Sequence, residues 1–250
     1  MVFLHGNPLD HRMWDDQAEL FSERYTVIRY DLRGFGQSSL PDGRPYSHAE
    51  DLHWLLEALG IREPILVGLS MGGGAVVNFA VLHPGIPRAI VVADSSLGGF
   101  LYSDEIATEG ELLVLTANKK GLDPAKALLL KEGFFVDAMR NKRVAKKLKE
   151  IVGSYSGYHW LHRDNGRPLT PPAIARLEQI AVPALVLVGE NDVPDFHAIA
   201  ETLAVKIPNA RKIIMAGVGH MCNMEDPEGF NEVVMRFLKE GEGYKRTNGQ

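Results

Sequence analysis

The chain has 250 residues, of which 45% are hydrophobic and 24% charged, and its formal net charge is −5 at pH 7. This balance is typical of a globular protein with a sizeable core, and it lacks the excess of basic residues that nucleic-acid binding requires. The single cysteine, Cys222, excludes an intramolecular disulfide, and neither an apolar run of membrane-spanning length nor a signal-peptide pattern is visible. We therefore expect a cytoplasmic monomer or homodimer that binds neither nucleic acid nor membrane.

Short apolar runs rich in Val and Ile alternate with longer amphipathic patterns along much of the chain. Because the runs are continuously apolar, we predict strands buried on both faces of a parallel sheet, at residues 1–5, 25–31, 64–69, 89–94, 183–190 and 212–217. The intervening patterns predict helices at 47–60, after Gly72, at 195–207 and at 227–239. This alternation predicts an α/β fold with a doubly wound, mostly parallel sheet.

The alternation stops between residues 97 and 180, where helical patterns follow one another without a strand-like run. A helical insert between two strands of such a sheet lies at its carboxyl edge, where ligands bind. We therefore predict a core formed by residues 1–97 and 181–250, and a helical cap formed by residues 98–180. The cap is an insertion in a single domain and precedes the fifth predicted strand.

The segment ILVGLSMGGGAVV, residues 65–77, sets a serine among four glycines where a predicted strand meets a predicted helix. Glycine inside regular structure costs about 1 kcal/mol relative to alanine, so this density of glycine needs a reason. Residues 68–72 form a G-x-S-x-G pattern, which is typical of a nucleophile elbow. Such a turn holds a strained serine at the N-terminus of a helix, whose dipole favours developing negative charge. The pattern predicts that Ser70 is a nucleophile.

A serine hydroxyl needs a base, and in folds with this elbow an acid and then a histidine follow on loops after later strands. Asp192 follows the fifth predicted strand and His220 follows the sixth. We predict these two residues as the acid and the base. The main alternative acid is Asp94, at the end of the fourth predicted strand. Two weaker alternatives, Glu190 and Asp195, flank the predicted acid.

An acyl-transfer site also needs hydrogen-bond donors for the oxyanion. The backbone N–H of Met71, directly after the serine, is one predicted donor. The other comes from the loop after the first predicted strand, His5-Gly6-Asn7-Pro8. The glycine lets this loop approach the serine and the proline has no N–H, so the predicted donor is Asn7.

At these residues the sequence is identified as a member of the α/β-hydrolase superfamily. The blocks HGNP, YDLRGFGQSS, GLSMGGG, VGENDVPD and GVGHMCNMEDPEGFNEVV resemble superfamily blocks in the same order and span nearly the whole chain. The resemblance implies the α/β-hydrolase fold and the serine triad. The segments around Ser70 and His220 are similar to those of carboxylesterases and enol-lactone hydrolases. Members usually begin with a β-hairpin before the strand that ends in HG, whereas here that strand starts at residue 1.

From the residues and the resemblance we expect a serine hydrolase that cleaves small, mostly apolar carboxylic esters or lactones through an acyl-enzyme on Ser70. The serine argues against dehalogenases and epoxide hydrolases of this superfamily, which carry aspartate at the elbow. The alternatives are a 3-oxoadipate enol-lactonase-like hydrolase, a carbon–carbon bond hydrolase, an acyltransferase that uses an alcohol, and a triad-bearing small-molecule receptor with slow hydrolysis. We expect neither cofactor nor metal, because no His, Cys and Asp cluster has ligand spacing.

Substrate preference is expected to depend on the cap, whose segment YSGYHWLH, residues 155–162, either packs on the sheet or lines a pocket. Trp160 and Met221 are the predicted substrate contacts. No concentrated arginine pair accompanies the cap aromatics, so we predict a preference for short apolar substrates over acidic ones. These aromatics are Phe100, Tyr102, Tyr155, Tyr158 and Trp160.

Overall fold

Six strands form one sheet in the computed structural model, which describes residues 1–131 and 133–247. The strand order is β2-β1-β3-β4-β5-β6, and all neighbouring strands are parallel. The strands are β1 (Val2–Leu4), β2 (Ile28–Tyr30), β3 (Ile65–Leu69), β4 (Ala89–Ala93), β5 (Ala184–Gly189) and β6 (Ala210–Met215). The predicted α/β fold with a parallel sheet is confirmed.

Helices lie between the strands and after the last one. In chain order they are α1 (Asp15–Phe21), α2 (His48–Ala58), α3 (Met71–Leu82), α4 (Asp104–Lys120), α5 (Leu122–Leu129), α6 (Val136–Arg140), α7 (Lys142–Ser154), α8 (Tyr158–Leu161), α9 (Pro194–Lys206), α10 (Cys222–Glu225) and α11 (Pro227–Thr247). The four predicted helices, three of them given by residue range and one as following Gly72, correspond to α2, α3, α9 and α11. The helices α1 and α10 were not predicted, because both are too short to show a clear apolar period.

The core lies on both sides of the central strands. Every residue of β1, β3, β4 and β5 is buried, as their continuous apolar runs predicted. The predicted burial is wrong for the two edge strands: β2 is only partly buried, and β6 buries only its last residue, Met215. No helix within the described ranges is long and apolar enough to cross a membrane.

The helices α4 to α8 lie between β4 and β5 in the chain, within the segment predicted as a cap. The helix α7 buries an apolar stripe that includes Val144, Leu148 and Ile151. Ion pairs link the polar side of α7 to α1: Arg143 lies 2.8 Å from Asp16, and Lys147 pairs with Asp15. The inserted segment is thereby joined to the core by both apolar and charged contacts.

The chain order reverses at β1, which pairs with β2 on one side and β3 on the other. In open α/β sheets, ligands bind outside the carboxyl ends of the strands at such a reversal. The loop that carries Asn7 follows β1, and Ser70 follows β3. The topology therefore brings these two loops to the same crevice.

Candidate active site

Ser70 occupies a tight turn between β3 and α3. Its backbone angles, φ 55° and ψ −119°, lie where residues other than glycine are rare, and its N–H donates to Ala93 O at 3.0 Å. A Cβ at Gly68 would lie 2.3 Å from Gly72 O, and a Cβ at Gly72 would lie 2.2 Å from Leu4 O. Glycine at these two positions therefore lets the strand, the turn and the helix approach closely while the serine is held at the start of α3.

His220 and Asp192 form a buried pair on the loops after β6 and β5. The distance from His220 Nδ1 to Asp192 Oδ2 is 2.8 Å, and the two side chains are 2% and 0% exposed. The N–H of Val193 donates to Asp192 Oδ1 at 2.8 Å. A carboxylate in this place holds the proton on Nδ1 and leaves Nε2 able to accept one. The fold thus brings together the acid and the base that the sequence predicted 28 positions apart.

The loop that carries His220 is anchored on both sides by Glu225 of α10. Glu225 Oε2 accepts from the N–H of Gly219 at 2.9 Å, and Oε1 accepts from the N–H of Met221 at 3.1 Å. Burial raises the pKa of Glu225. Sequence analysis missed this residue, because an acid near a histidine has no distinctive local pattern and only the loop geometry reveals the two contacts.

The two weaker alternative acids contact other loops. Glu190 Oε2 accepts from the N–H of Gly217 at 2.8 Å. Asp195 accepts from Ser103 N and Oγ, at 2.8 Å and 2.9 Å. Both carboxylates therefore hold loops at the carboxyl edge of the sheet rather than contacting His220.

Asp94, the main alternative acid, is fully buried directly after β4. Its φ of 43° is also positive, and its Oδ1 accepts from the N–H of Gly189 at 2.7 Å. Potential ligand atoms of Asp94, Asp192 and His220 all lie within 4.8 Å of one another. The structure therefore places both candidate acids close together, with Asp192 hydrogen-bonded to the imidazole.

The loop after β1 passes beside the serine. A Cβ at Gly6 would lie 3.2 Å from Ser70 Cβ, and Asn7 lines the same cavity as Ser70. Toward the rest of the described chain, the backbone N–H groups of Asn7 and Met71 donate no hydrogen bond. Both predicted donors therefore remain available to a bound oxygen.

His5 fixes the start of this loop through two backbone contacts. Its Nε2 accepts from the N–H of Leu32 at 2.9 Å, and its Nδ1 then donates to Gly6 O at 2.9 Å. Burial lowers the pKa of His5 to about 4. The imidazole is therefore neutral at neutral pH, and its role is to position the loop.

A cavity of about 420 Å³ opens onto Ser70 and Asn7 beneath the helical insert. No lysine or arginine is among its lining residues in the described part of the chain, and Glu109 is the one carboxylate there. The apolar lining comes from α4, α5, α8 and the turn between α5 and α6: Ile106, Leu113, Val114, Leu128, Leu129, Phe134, Phe135 and Trp160.

The aromatic segment of the insert serves mostly to pack it on the core. Trp160 lines the cavity, as predicted. Tyr155 instead stacks on Phe35 with ring centroids 5.6 Å apart, and the Tyr158 hydroxyl donates to Pro41 O at 3.3 Å. Of the two alternatives for this segment, packing or lining a pocket, these two tyrosines pack, because the loop after β2 covers them.

Two further aromatics and Met221 also lie away from this cavity. Phe100 and Tyr102 line a separate pocket beside α3, together with Met71. Met221 is 1% exposed and is not among the cavity's lining residues, because Glu225 draws its backbone toward α10. The aromatic residues that sequence analysis missed are Phe134 and Phe135.

Two clusters of acidic and histidine side chains in the described residues have the proximity that metal ligation requires. One is Asp94, Asp192 and His220. The other is Asp10, His11 and Asp31, in which Asp10 pairs with Arg12 at 2.5 Å and Asp31 accepts from the His11 ring at 2.7 Å. Sequence spacing revealed neither cluster, because each combines residues from different loops. Protein groups already contact the carboxylates of both.

The parallel sheet, the elbow serine and the buried histidine–aspartate pair are typical of one class of enzyme fold. A family model described as the alpha/beta hydrolase family matches residues 1–233, and the chain belongs to this family. The superfamily resemblance that the sequence blocks indicated is therefore confirmed.

Relatives of this chain match most of its length. The carboxylesterase YbfK of Bacillus subtilis is 24% identical over 95% of this chain and 79% of its own length. A 2-hydroxy-6-oxononadienedioate/2-hydroxy-6-oxononatrienedioate hydrolase of Burkholderia vietnamiensis is 28% identical, over 96% of this chain and 86% of its own. Among solved structures, a thermophilic esterase from Thermogutta terrifontis with malate bound has a TM-score of 0.78 and 25% identity, and the match covers 96% of this chain and 89% of that one.

Proposed function

We infer that this protein is a serine hydrolase that cleaves the carboxylic ester bonds of small, mostly apolar esters or lactones. The observation that carries the proposal is the buried His220–Asp192 hydrogen bond of 2.8 Å, combined with a strained elbow serine that opens into an apolar cavity. The esterase relatives support the same reaction class.

In the proposed mechanism, Ser70 Oγ attacks the substrate carbonyl while His220 Nε2 takes its proton. Asp192 orients the imidazole and stabilises its charged form. The N–H groups of Asn7 and Met71 donate to the oxyanion, and the start of α3 adds its helix dipole. His220 then protonates the leaving group and activates water, which releases the acid and regenerates the serine.

The cavity lining supports an apolar acyl group. A carboxylate on the substrate would be desolvated there without a lysine or arginine partner among the described lining residues. The relative named for a dienedioate acts on a compound with two carboxylates, so its substrate class fits this cavity poorly. The same reasoning disfavours an acidic enol-lactone.

We expect efficient turnover of p-nitrophenyl acetate and butyrate, and poor turnover of acyl chains beyond about eight carbons, because a cavity of this size limits chain length. The test is a kcat/KM series from acetate to dodecanoate, run beside an acidic enol-lactone. Ser70→Ala should abolish turnover without unfolding the protein, whereas Ser22→Ala, the same change at an exposed position, should leave it unchanged.

Other results would favour the alternative functions. A preference for the acidic lactone would support an enol-lactonase-like hydrolase. One slow burst without further turnover would support a receptor, and faster product formation with added alcohol would support acyl transfer.

A further inference from the structure

Beneath His220 the fold buries two carboxyl groups where a triad uses one. Asp94 is fully buried, and the Asp192 side chain is also withdrawn from solvent. One carboxyl oxygen of each residue and a ring nitrogen of His220 lie within 4.8 Å of one another. Two negative charges at this separation in a dry site repel strongly, so the geometry disfavours ionisation of both.

The hydrogen-bond partners distinguish the two acids. Asp192 Oδ1 and Oδ2 accept from the Val193 N–H and from His220, both at 2.8 Å, as an ionised carboxylate does. Asp94 Oδ1 accepts from the Gly189 N–H at 2.7 Å, but no group of the described residues donates to its buried Oδ2. A buried oxygen without a donor is costly when it is charged and becomes a donor itself when it carries a proton.

We propose that Asp94 carries a proton on Oδ2 and donates it in a hydrogen bond to Asp192, so that the two carboxyl groups share one negative charge beneath His220. The inference rests on the proposed serine hydrolase chemistry, in which Asp94 is a positioning residue that acts through Asp192. It leaves a second carboxyl able to replace Asp192 if that residue loses its charge.

The other groups around Asp94 are consistent with this state. Burial, and then the charge of Asp192, raise the pKa of Asp94 well above its usual range. The Cys222 thiol lies against the same carboxyl, and burial raises its pKa well above the usual value, so it supplies no negative charge. Its contact with Asp94 offsets only part of the rise in the pKa of that carboxyl. Glu225 contacts the backbone of the His220 loop instead. No cationic side chain of the described residues is hydrogen-bonded to Asp94.

The backbone also favours a specific role for Asp94. Ser70 and Asp94 are the two residues other than glycine with positive φ in the described chain. Such a conformation is costly and persists only where surrounding contacts impose it. The N–H of Asp94 donates to Leu187 O at 2.9 Å, and its side chain contacts Gly189 on the same strand, β5. These two contacts hold the carboxyl beside Asp192.

The first test uses the rate at which a fluorophosphonate labels Ser70, measured against pH, because this reaction reports on the triad without requiring the natural substrate. Asparagine mimics a protonated aspartic acid in shape and charge. Asp94→Asn should therefore keep the acid limb of the labelling profile in place and change the rate by less than about fivefold. A shift of that limb to lower pH would mean that a negative charge had been removed beside His220, which overturns the proposal.

The second test is a double-mutant cycle between Asp94 and Asp192. A purely structural role for Asp94 would not give the coupling expected from it. Asp192→Asn alone should lower the rate of Ser70 labelling by about 10²-fold. This loss is smaller than the roughly 10⁴-fold typical of a triad that loses its carboxylate, because Asp94 then ionises beside His220. Asp94→Asn in that background should lower the rate at least about tenfold further. Equal rates in the single and double variants would contradict the proposal. Asp51→Asn, the same change in a remote ion pair with Arg33, serves as the control.

A third measurement needs no variant and does not depend on activity. Neutron diffraction of the wild-type protein at neutral pH should show deuterium on Asp94 and none on Asp192. An ionised Asp94 would overturn the proposal even if Ser70 proves reactive. If Ser70 does not react with the fluorophosphonate, the proposed function fails separately, whereas the protonation of Asp94 is still decided by diffraction.

Discussion

Burial controls the chemistry of single side chains around the candidate triad. Cys222 lies two residues after His220, yet it is fully buried and has no disulfide partner. The thiolate is the reactive form of cysteine, and burial raises the pKa of this thiol well above its ordinary value. Proximity to the triad therefore does not make Cys222 a reactive group.

We predict that Cys222 in the folded protein resists a bulky thiol reagent such as DTNB at neutral pH, because the reagent cannot reach it and little thiolate is present. Absorbance should show no reaction over hours in buffer and complete reaction after unfolding in urea. Rapid labelling of the native protein with loss of esterase activity would instead show that the thiol opens to the active-site cavity.

At the scale of elements, α10 positions the loop that carries His220. This single turn of helix carries Glu225, whose two oxygens accept from the residues on either side of His220. In the proposed mechanism this loop must hold the imidazole between Ser70 and Asp192, and small displacements of such a group would be costly to catalysis. The position of a short, easily overlooked helix thus affects the geometry of the His220–Asp192 pair.

Glu225→Ala should lower kcat/KM for p-nitrophenyl butyrate by about tenfold or more, because the loop loses two hydrogen bonds to a charged acceptor. Glu225→Gln, which keeps one acceptor, should give an intermediate loss. The exposed Glu228→Ala is the matched control and should behave as wild type. An unchanged kcat/KM in Glu225→Ala would show that the loop does not depend on this carboxylate.

Across the whole molecule, buried neutral histidines couple stability to pH. Burial lowers the pKa of both His5 and His48 from 6.5 to about 4. His48 packs against Tyr46 with ring centroids 5.3 Å apart, and its buried Nδ1 has no hydrogen-bond partner among the described residues. Between pH 6.5 and about 4 the unfolded chain binds more protons than the folded one. The contribution of these two histidines to the stability of the folded state is therefore complete above pH 6.5 and declines as the pH falls.

We expect the free energy of unfolding to fall by roughly 2 kcal/mol for each of these histidines between pH 7 and pH 5. Urea denaturation across this range measures the slope. His48→Asn, which cannot titrate, should flatten it, whereas His162→Asn at an exposed position should not. An unchanged slope in His48→Asn would mean that His48 takes up protons alike in the folded and unfolded chains, which would contradict a lowered pKa in the folded protein.

Local patterns in the sequence were sufficient to predict the strands, the elbow serine, and the order in which Asp192 and His220 follow that serine. Buried strands and tight turns depend on neighbouring residues, so their signatures survive in the linear chain. The pairing of Asp192 with His220 rather than Asp94, the anchoring by Glu225, and the cavity lining by Phe134 and Phe135 were decided only by the tertiary structure. The carboxyl ends of parallel strands meet at one edge of the sheet, and residues far apart in sequence become neighbours there.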